Sequence, residues 1–235
     1  MAQKKLLRFS QIKTFPHVWE YPKEVAGTWK DKFNNQNPLI LELACGRGEY
    51  TVALSAMYPD NNFLGVDVKG NRIYVGAKKL LDAGRKNAGF LRSQIEMLSD
   101  YFSPEEVSEI WITFPDPQLR TSKSKKRLTH PRFLRIFQQV LKKDGVIHLK
   151  TDSPDLYQFT LQVINMYDLI LLESNDNVYA NENIDERLKI KTHYEGLDIA
   201  KSKRVFYLRF ALPAQIPNKD EQLQDLIKTT EQNRD

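Results

Sequence analysis

Two carboxylates bracket a glycine turn in this chain. Glu42 precedes Gly46-Arg47-Gly48, and Asp67 follows about twenty residues later. Gly46 and Gly48 allow the backbone to turn tightly and let a ligand approach it closely. An acid at the end of the next strand is placed to accept hydrogen bonds from a ribose diol. A dinucleotide site would want a third glycine, where this chain has Thr51. A pyrophosphate would also be repelled by Glu42, whereas a helix N-terminus alone would attract it. A carboxylate at that place suits a cationic ligand, such as a sulfonium carrying an ammonium group. The competing reading is a plain strand-to-helix turn that binds nothing.

A second constellation is Phe114-Pro115-Asp116-Pro117. Two prolines fix φ on both sides of the acid and push the residues before them into extended geometry. The Asp116 carboxylate is then held rigidly, beside the site suggested by the glycine turn. The alternative is a proline-stiffened loop with a solvated aspartate. Next comes Arg120-Thr121-Ser122-Lys123-Ser124-Lys125-Lys126-Arg127, with no acid before Asp144. Such a run reads as a solvated face or as a phosphate-binding loop. Its place beside Asp116 favours the second reading, because cations at the mouth of a pocket steer a polyanion towards it.

The elements that must position these residues alternate. Strands are expected at 38–43, 62–67, 89–91, 109–114 and 145–150, from short apolar runs. Helices are expected at 49–57, 71–83, 131–141 and 154–166, the third with Pro131 in its first turn. Late strands are expected at 169–172 and 205–210. This alternation implies a mostly parallel α/β sheet with helices on both faces. The last two strands lie too close to a strongly polar insert for another standard βα unit, so a final antiparallel strand is expected there. All the acids named above then fall at the carboxyl ends of strands, where open α/β sheets bind ligands.

The chain has 235 residues, 41% hydrophobic and 28% charged, with a net charge of +5. That length suits one α/β domain, expected at 38–212, with decorated ends. Aromatic residues make up 11%, which excludes disorder throughout. Cys45 is the only cysteine, which excludes a disulfide scaffold. No apolar run approaches the ~18 residues of a membrane span. The N-terminal residues lack a signal-peptide pattern, so a soluble cytoplasmic protein without a membrane partner is expected. Residues 1–37 interleave Lys4, Lys5, Arg8, Lys13, Lys23 and Lys30 with Phe9, Phe15, Trp19, Tyr21 and Trp29. They read either as an arm whose aromatics dock on the core or as one that contacts nucleic acid. Residues 213–235, with Asp220, Glu221, Asp225, Glu231 and Asp235, read as a polar tail or frayed helix without function.

Cys45 reads as a small residue packed under the glycine turn, not as a nucleophile. His17, His130, His148 and His193 show no metal-ligand spacing, so no metal is expected. His148 and Trp111 read as core residues.

The acid followed by a G-x-G turn resembles the first motif of class I S-adenosylmethionine-dependent methyltransferases. That resemblance implies a Rossmann-like fold, with Glu42 beside the methionine part of the cofactor and Asp67 on its ribose hydroxyls. Phe114–Pro117, the basic stretch and Arg127-Leu128-Thr129 narrow it to the tRNA (guanine-N7)-methyltransferase family. Lys150-Thr151-Asp152 and Thr192-His193-Tyr194-Glu195 match that family's later motifs, and the likeness spans roughly residues 38 to 210. Gln118, Arg120 and Lys123 stand where the family usually has Trp, Lys and His.

The family resemblance implies methyl transfer from S-adenosylmethionine to guanine N7 at tRNA position 46, in the variable loop. Gly46, Gly48, Gln94 and Asp116 join Glu42 and Asp67 around the cofactor, Gln94 through the adenine amino group. Asp116 is the candidate catalytic residue. Arg120, Lys123, Lys125, Lys126 and Arg127 would hold tRNA. Asp152 would hold the guanine Watson–Crick edge, and Thr192 and Glu195 would complete the guanosine pocket. Other readings are a methyltransferase for another RNA or a small molecule, and an RNA-binding module without catalysis. The protein is expected as a monomer or homodimer.

Overall fold

In the computed structural model, residues 2–180, 183–197, 201 and 203–232 are described. Met1 and Asp235, which bound the expected arm and tail, lie outside them, as do the side chains of Lys4, Lys5 and Glu231. Along the chain run α1 (Ala2–Ile12), β1 (Val18–Glu20), α2 (Trp29–Phe33), β2 (Leu39–Leu43), α3 (Glu49–Met57) and β3 (Asn62–Asp67). Then come α4 (Gly70–Asp82), β4 (Ala88–Arg92), α5 (Leu98–Tyr101), β5 (Val107–Thr113), α6 (Pro131–Val140) and β6 (Leu141–Thr151). The last elements are α7 (Pro154–Met166), β7 (Ile170–Asn175), β8 (Phe206–Ala211) and α8 (Asp220–Gln232).

The strands form one sheet in the order β1-β4-β3-β2-β5-β6-β8-β7. Pairing is parallel from β1 through β6, and β8 runs antiparallel to both β6 and β7. The expected late antiparallel strand is therefore β8. Chain order reverses at β2: β3 and β4 build outward on one side, and β5 and β6 on the other. That reversal opens a crevice at the strands' carboxyl ends.

Both sheet faces are covered, so the central strands read as apolar runs without alternation. Leu39, Leu41 and Leu43 of β2 face one core together with Trp29, Phe137, Val163 and Leu223. Ile40, Phe63, Phe90 and Trp111 face the other, against Ile12, Tyr50, Leu54, Ile73 and Leu188. Two helices start at side-chain caps. Ser153 accepts from Leu156 N at the head of α7, and His130 accepts from Arg132 N at the head of α6, each followed by proline. Both carbonyl-free donors are thereby satisfied before the first full turn.

Three parts differ from the sequence reading. β6 begins at Leu141, directly after α6, so it is longer than the strand expected at 145–150. Val18–Glu20 form an edge strand on β4, with Trp19 edge-on to Trp29 and Phe15 stacked on Tyr74. The arm's aromatics thus dock on the core, and residue 37 marks no break in packing. The expected tail is likewise a docked helix. Leu223 and Ile227 of α8 are buried in the first core, and Asp220 accepts from Arg135 and from the Tyr167 hydroxyl. An amphipathic helix with only two inward residues per two turns leaves a mostly polar composition, which is what the sequence displayed.

Leu223→Ala is expected to lower stability by about 2–4 kcal/mol, because it removes a fully buried side chain and leaves a cavity. Urea unfolding checks this; an unchanged midpoint would mean that α8 frays from the core.

Candidate active site

A cleft of about 830 Å³ opens at the carboxyl edge of the sheet. Every strand from β2 to β6 ends in it. Ala44 follows β2, Asp67 ends β3 and Val68 follows it, Ser93 and Ile95 follow β4, Phe114 to Pro117 follow β5, and Asp152 and Ser153 follow β6. Its size suits a nucleotide-sized ligand.

The glycine turn is held from both sides. Asp67 Oδ2 accepts from Gly46 N at 2.9 Å, and Oδ1 accepts from Lys69 N at 2.8 Å. One carboxylate therefore joins the turn after β2 to the turn after β3. Gly48 has φ +68°, and a Cβ there would come within 2.3 Å of the Phe90 ring, so only glycine fits. Ala44 and Phe114, the residues directly after the two strands that flank the crevice, both have positive φ, at 54° and 47°. A bulky residue in that region is strained, and such strain gathers at functional sites.

Glu42 sits beneath the turn. It is buried and does not line the cleft. Its Oε2 accepts from Thr51 N at 2.7 Å and Thr51 Oγ1 at 2.6 Å, and its Oε1 accepts from Thr113 Oγ1 at 3.2 Å. The resemblance put this carboxylate beside the cofactor. The structure instead engages its oxygens with α3 and β5, because the even positions of β2 point into the sheet's second face. Burial pushes the Glu42 carboxyl up to about 7, against the lowering effect of the Thr51 hydrogen bonds. Cys45 is buried beside it, and burial raises the thiol well above its usual range, which makes it a poor nucleophile.

Asp116 is exposed on the rim, where its Oδ1 accepts from Gln118 N at 3.0 Å. The basic run is a 3₁₀ turn over Thr121–Lys126. Arg120, Lys123, Lys125 and Lys126 are exposed, and Lys126 lines the cleft. Arg127 differs. It is buried, it donates to the carbonyls of Gln118 and Leu119, and its guanidinium lies 4.4 Å from the Phe159 ring centre. It anchors the proline loop from inside.

Gln94 is exposed and outside the cleft lining, whereas its neighbours Ser93 and Ile95 line it. Thr192 and Glu195 also stand behind the lining: Thr192 Oγ1 accepts from Glu195 N, and Glu195 accepts from the Lys150 ammonium at 3.1 Å and from the Tyr179 hydroxyl. Asp152 does line the cleft. Sequence reasoning missed Lys69, Arg72, Arg132 and Tyr194, all of which line it. Arg72 lies 5.2 Å from the Tyr194 ring centre, and a Cβ on Gly46 would be 3.4 Å from that ring. Lys69 and Arg72 follow Asp67 by two and five residues, so their place near the strand end was readable; Tyr194 lies inside the Thr192–Glu195 motif, where only Thr192 and Glu195 were given roles. Among the described residues, no three His, Cys, Asp or Glu side chains gather to hold a metal, and no helix is long and apolar enough to cross a membrane.

Glu42 gives a pH-dependent test. Its folded value lies above the ordinary carboxyl value of 4.5, so folding binds a proton between about pH 4.5 and 7 and stability falls as pH rises through that window. Glu42→Gln is expected to melt higher than the wild type at pH 8, by up to roughly 3 kcal/mol, and to lose that advantage below pH 4.5. Equal melting at pH 8 would mean that the carboxylate is not desolvated.

Known proteins resemble this chain along most of its length. The family described as "Putative methyltransferase" matches residues 36–208. The chain is 42% identical to the tRNA (guanine-N(7)-)-methyltransferase of Bacteroides thetaiotaomicron, over 91% of this chain and 87% of that protein. It is 44% identical to the Porphyromonas gingivalis protein of the same name, over 86% of each chain. Among solved structures, 16S rRNA methyltransferase KamB superposes with a TM-score of 0.61 at 14% identity, covering 81% of this chain and 96% of that one. The 16S rRNA (adenine(1408)-N(1))-methyltransferase from Catenulisporales acidiphilia gives 0.58 at 14% identity, over 80% and 93%. These two likenesses speak for the α/β fold alone. With acids on the strand ends, a glycine turn below them and relatives matched along nearly the whole chain, this protein belongs to the tRNA (guanine-N7)-methyltransferase family.

Proposed function

We propose that this chain methylates N7 of the guanine at tRNA position 46, using S-adenosylmethionine. Transfer from S-adenosylmethionine to guanine N7 of tRNA follows from family membership. The choice of position 46 and the residue roles are our reading. The observation that carries it is the convergence of Asp67, Asp116 and Asp152 with Lys126 and Arg132 on one cleft.

The residues present fit the methyl donor. The Asp67 carboxylate closes the end of β3 facing a glycine turn that a larger residue would block, an arrangement suited to a ribose diol. Ser93 and Ile95 supply a small, partly apolar wall for the adenine in place of Gln94. The donor supplies a methyl group activated on a sulfonium.

Guanine N7 carries a lone pair and no proton, so the acceptor needs no general base. Positioning then supplies most of the acceleration. Asp116, fixed between two prolines on the rim, stabilises the positive charge that develops on the purine. Asp152 accepts from the guanine N1–H and exocyclic amine. Lys123, Lys125 and Lys126 hold the phosphates around the target base, and Arg132 and Arg72 extend that positive rim. Arg127 keeps the Asp116 loop in place.

Asp116→Asn is expected to leave tRNA affinity within about twofold and to lower turnover at least about tenfold. Filter binding and a labelled-methyl assay on unmodified tRNA measure the two, and cleavage at N7-methylguanosine locates the modified base. Wild-type turnover would remove Asp116 from the mechanism, and cleavage elsewhere would replace position 46. Changing Lys123, Lys125 and Lys126 together to alanine is expected to flatten the slope of log affinity against log salt by roughly two, with melting unchanged. An unaltered slope would make the run a solvated surface.

A further inference from the structure

Lys150 is fully buried, yet its side chain is the meeting point of four hydrogen bonds. Its ammonium donates to Leu188 O at 2.8 Å, Ile190 O at 2.9 Å, the Tyr179 hydroxyl at 3.0 Å and Glu195 Oε2 at 3.1 Å. All four partners belong to the irregular stretch between β7 and β8. Among the described residues only short 3₁₀ turns, Val178–Ala180, Glu186–Lys189 and Glu195–Leu197, lie there, so carbonyls of this stretch lack the internal ladder that an α-helix would provide. A buried cation that satisfies two of them and one carboxylate is costly to remove.

The same residue touches the other walls of the cleft. Lys150 O accepts from Phe114 N at 2.8 Å, its ammonium lies 5.5 Å from the Phe114 ring centre, and Asp152 follows it in the chain. The held stretch continues through Thr192 to Tyr194, whose ring stands over Gly46 and lines the cleft. His193 N also donates to Glu49 Oε1 at the head of α3. We propose that Lys150 is a positioning residue: it pins the 188–195 stretch to the sheet so that Tyr194 completes the donor side of the cleft. This inference rests on reading the cleft as the methyl-donor site.

The groups facing Lys150 are Glu195, Tyr179 and Lys191 from the stretch itself, the Tyr50 ring from α3, and Tyr207, its cross-strand partner on β8. Desolvation by burial lowers the ammonium to about 8, against the raising effect of Glu195. The pin is therefore charged at neutral pH and loses its charge as pH rises through about 8.

Calorimetric titration with S-adenosylmethionine, without tRNA, tests this from pH 7 to 9.5. The wild type is expected to lose at least tenfold in donor affinity between pH 7 and 9.5. Lys150→Met is expected to bind at least tenfold more weakly than the wild type at pH 7 and to show no further loss on raising pH. Lys150→Gln keeps two donors without a charge; it is expected to recover at least a third of the lost affinity, also with a flat profile. In turnover assays the effect falls on the donor KM, with kcat at saturating donor changed less than threefold. Wild-type affinity in either variant overturns the proposal, as does an alkaline loss that persists in Lys150→Gln. Should Lys150→Met not fold, the wild-type and Lys150→Gln profiles decide alone. A wild type that binds no donor at any pH instead overturns the reading of the cleft.

Discussion

Parallel pairing from β2 to β6 is the constraint from which this site follows. Parallel strands all end on the same edge, and each turn that leaves a strand delivers its first residues there. Because β2 is followed by strands built to one side and then to the other, the turns after β2 and β5 diverge and leave room for a cleft between them. The Asp67 carboxylate ties the turns after β2 and β3 together through Gly46 N and Lys69 N. Ala44 and Phe114 take left-handed backbone conformations at the two diverging exits. The surrounding packing must overcome that strain, and Arg127 contributes by gripping the carbonyls of Gln118 and Leu119 from below.

The two faces of the sheet solve different problems. One is covered by helices, whose backbone groups are satisfied internally, and its core is mostly apolar where α6 and α7 pack, with Thr129 and Thr160 hydrogen-bonded to each other inside it. The other is covered by α1, α3 and α4 over β2 to β4, but beyond β5 only by an irregular stretch. There the strands present Glu109, Trp111, His148, Lys150 and Tyr207. Most of these polar groups have a partner that only this arrangement supplies, whereas His148 Nε2 lies 3.3 Å from Glu109 Oε1 without a hydrogen bond. Glu109 accepts from Trp111 and faces Arg187, whose guanidinium also pairs with Asp185 and lies over the Trp111 ring. His148 Nδ1 meets the Tyr207 hydroxyl at 2.6 Å, and its ring stacks on Trp111 at 4.0 Å. Burial lowers the His148 imidazole below its usual value, which suits a core residue and not an acid–base catalyst.

Much of the fold was legible because its central strands are buried on both faces and because α6 and α7 open on a side-chain cap followed by proline. Pro131 and Pro154 mark α6 and α7, and the 49–57 and 62–67 segments stand where apolar runs placed them. The ends were not legible, for a physical reason in each case. Val18–Glu20 is too short for a period-two pattern and becomes a strand only because the edge of β4 is open to pair with it. The α8 residues look like a polar tail because a helix docked along one stripe needs few apolar side chains.

The sequence by itself determined which chemistry is present: the glycine turn, the acids at strand ends, the proline-braced Asp116 and the basic run after it. These are local features, set by spacing and backbone geometry within a few residues. Tertiary structure decided which of them face the cleft. Glu42, Arg127, Thr192 and Glu195 match functional motifs in type and position, yet their side chains are directed to buried partners. Tyr194, Arg72 and Arg132 were given no role from the sequence, yet they line the site. Which way a side chain faces depends on strand pleat and on what packs against it, and both are settled by residues far away in the chain.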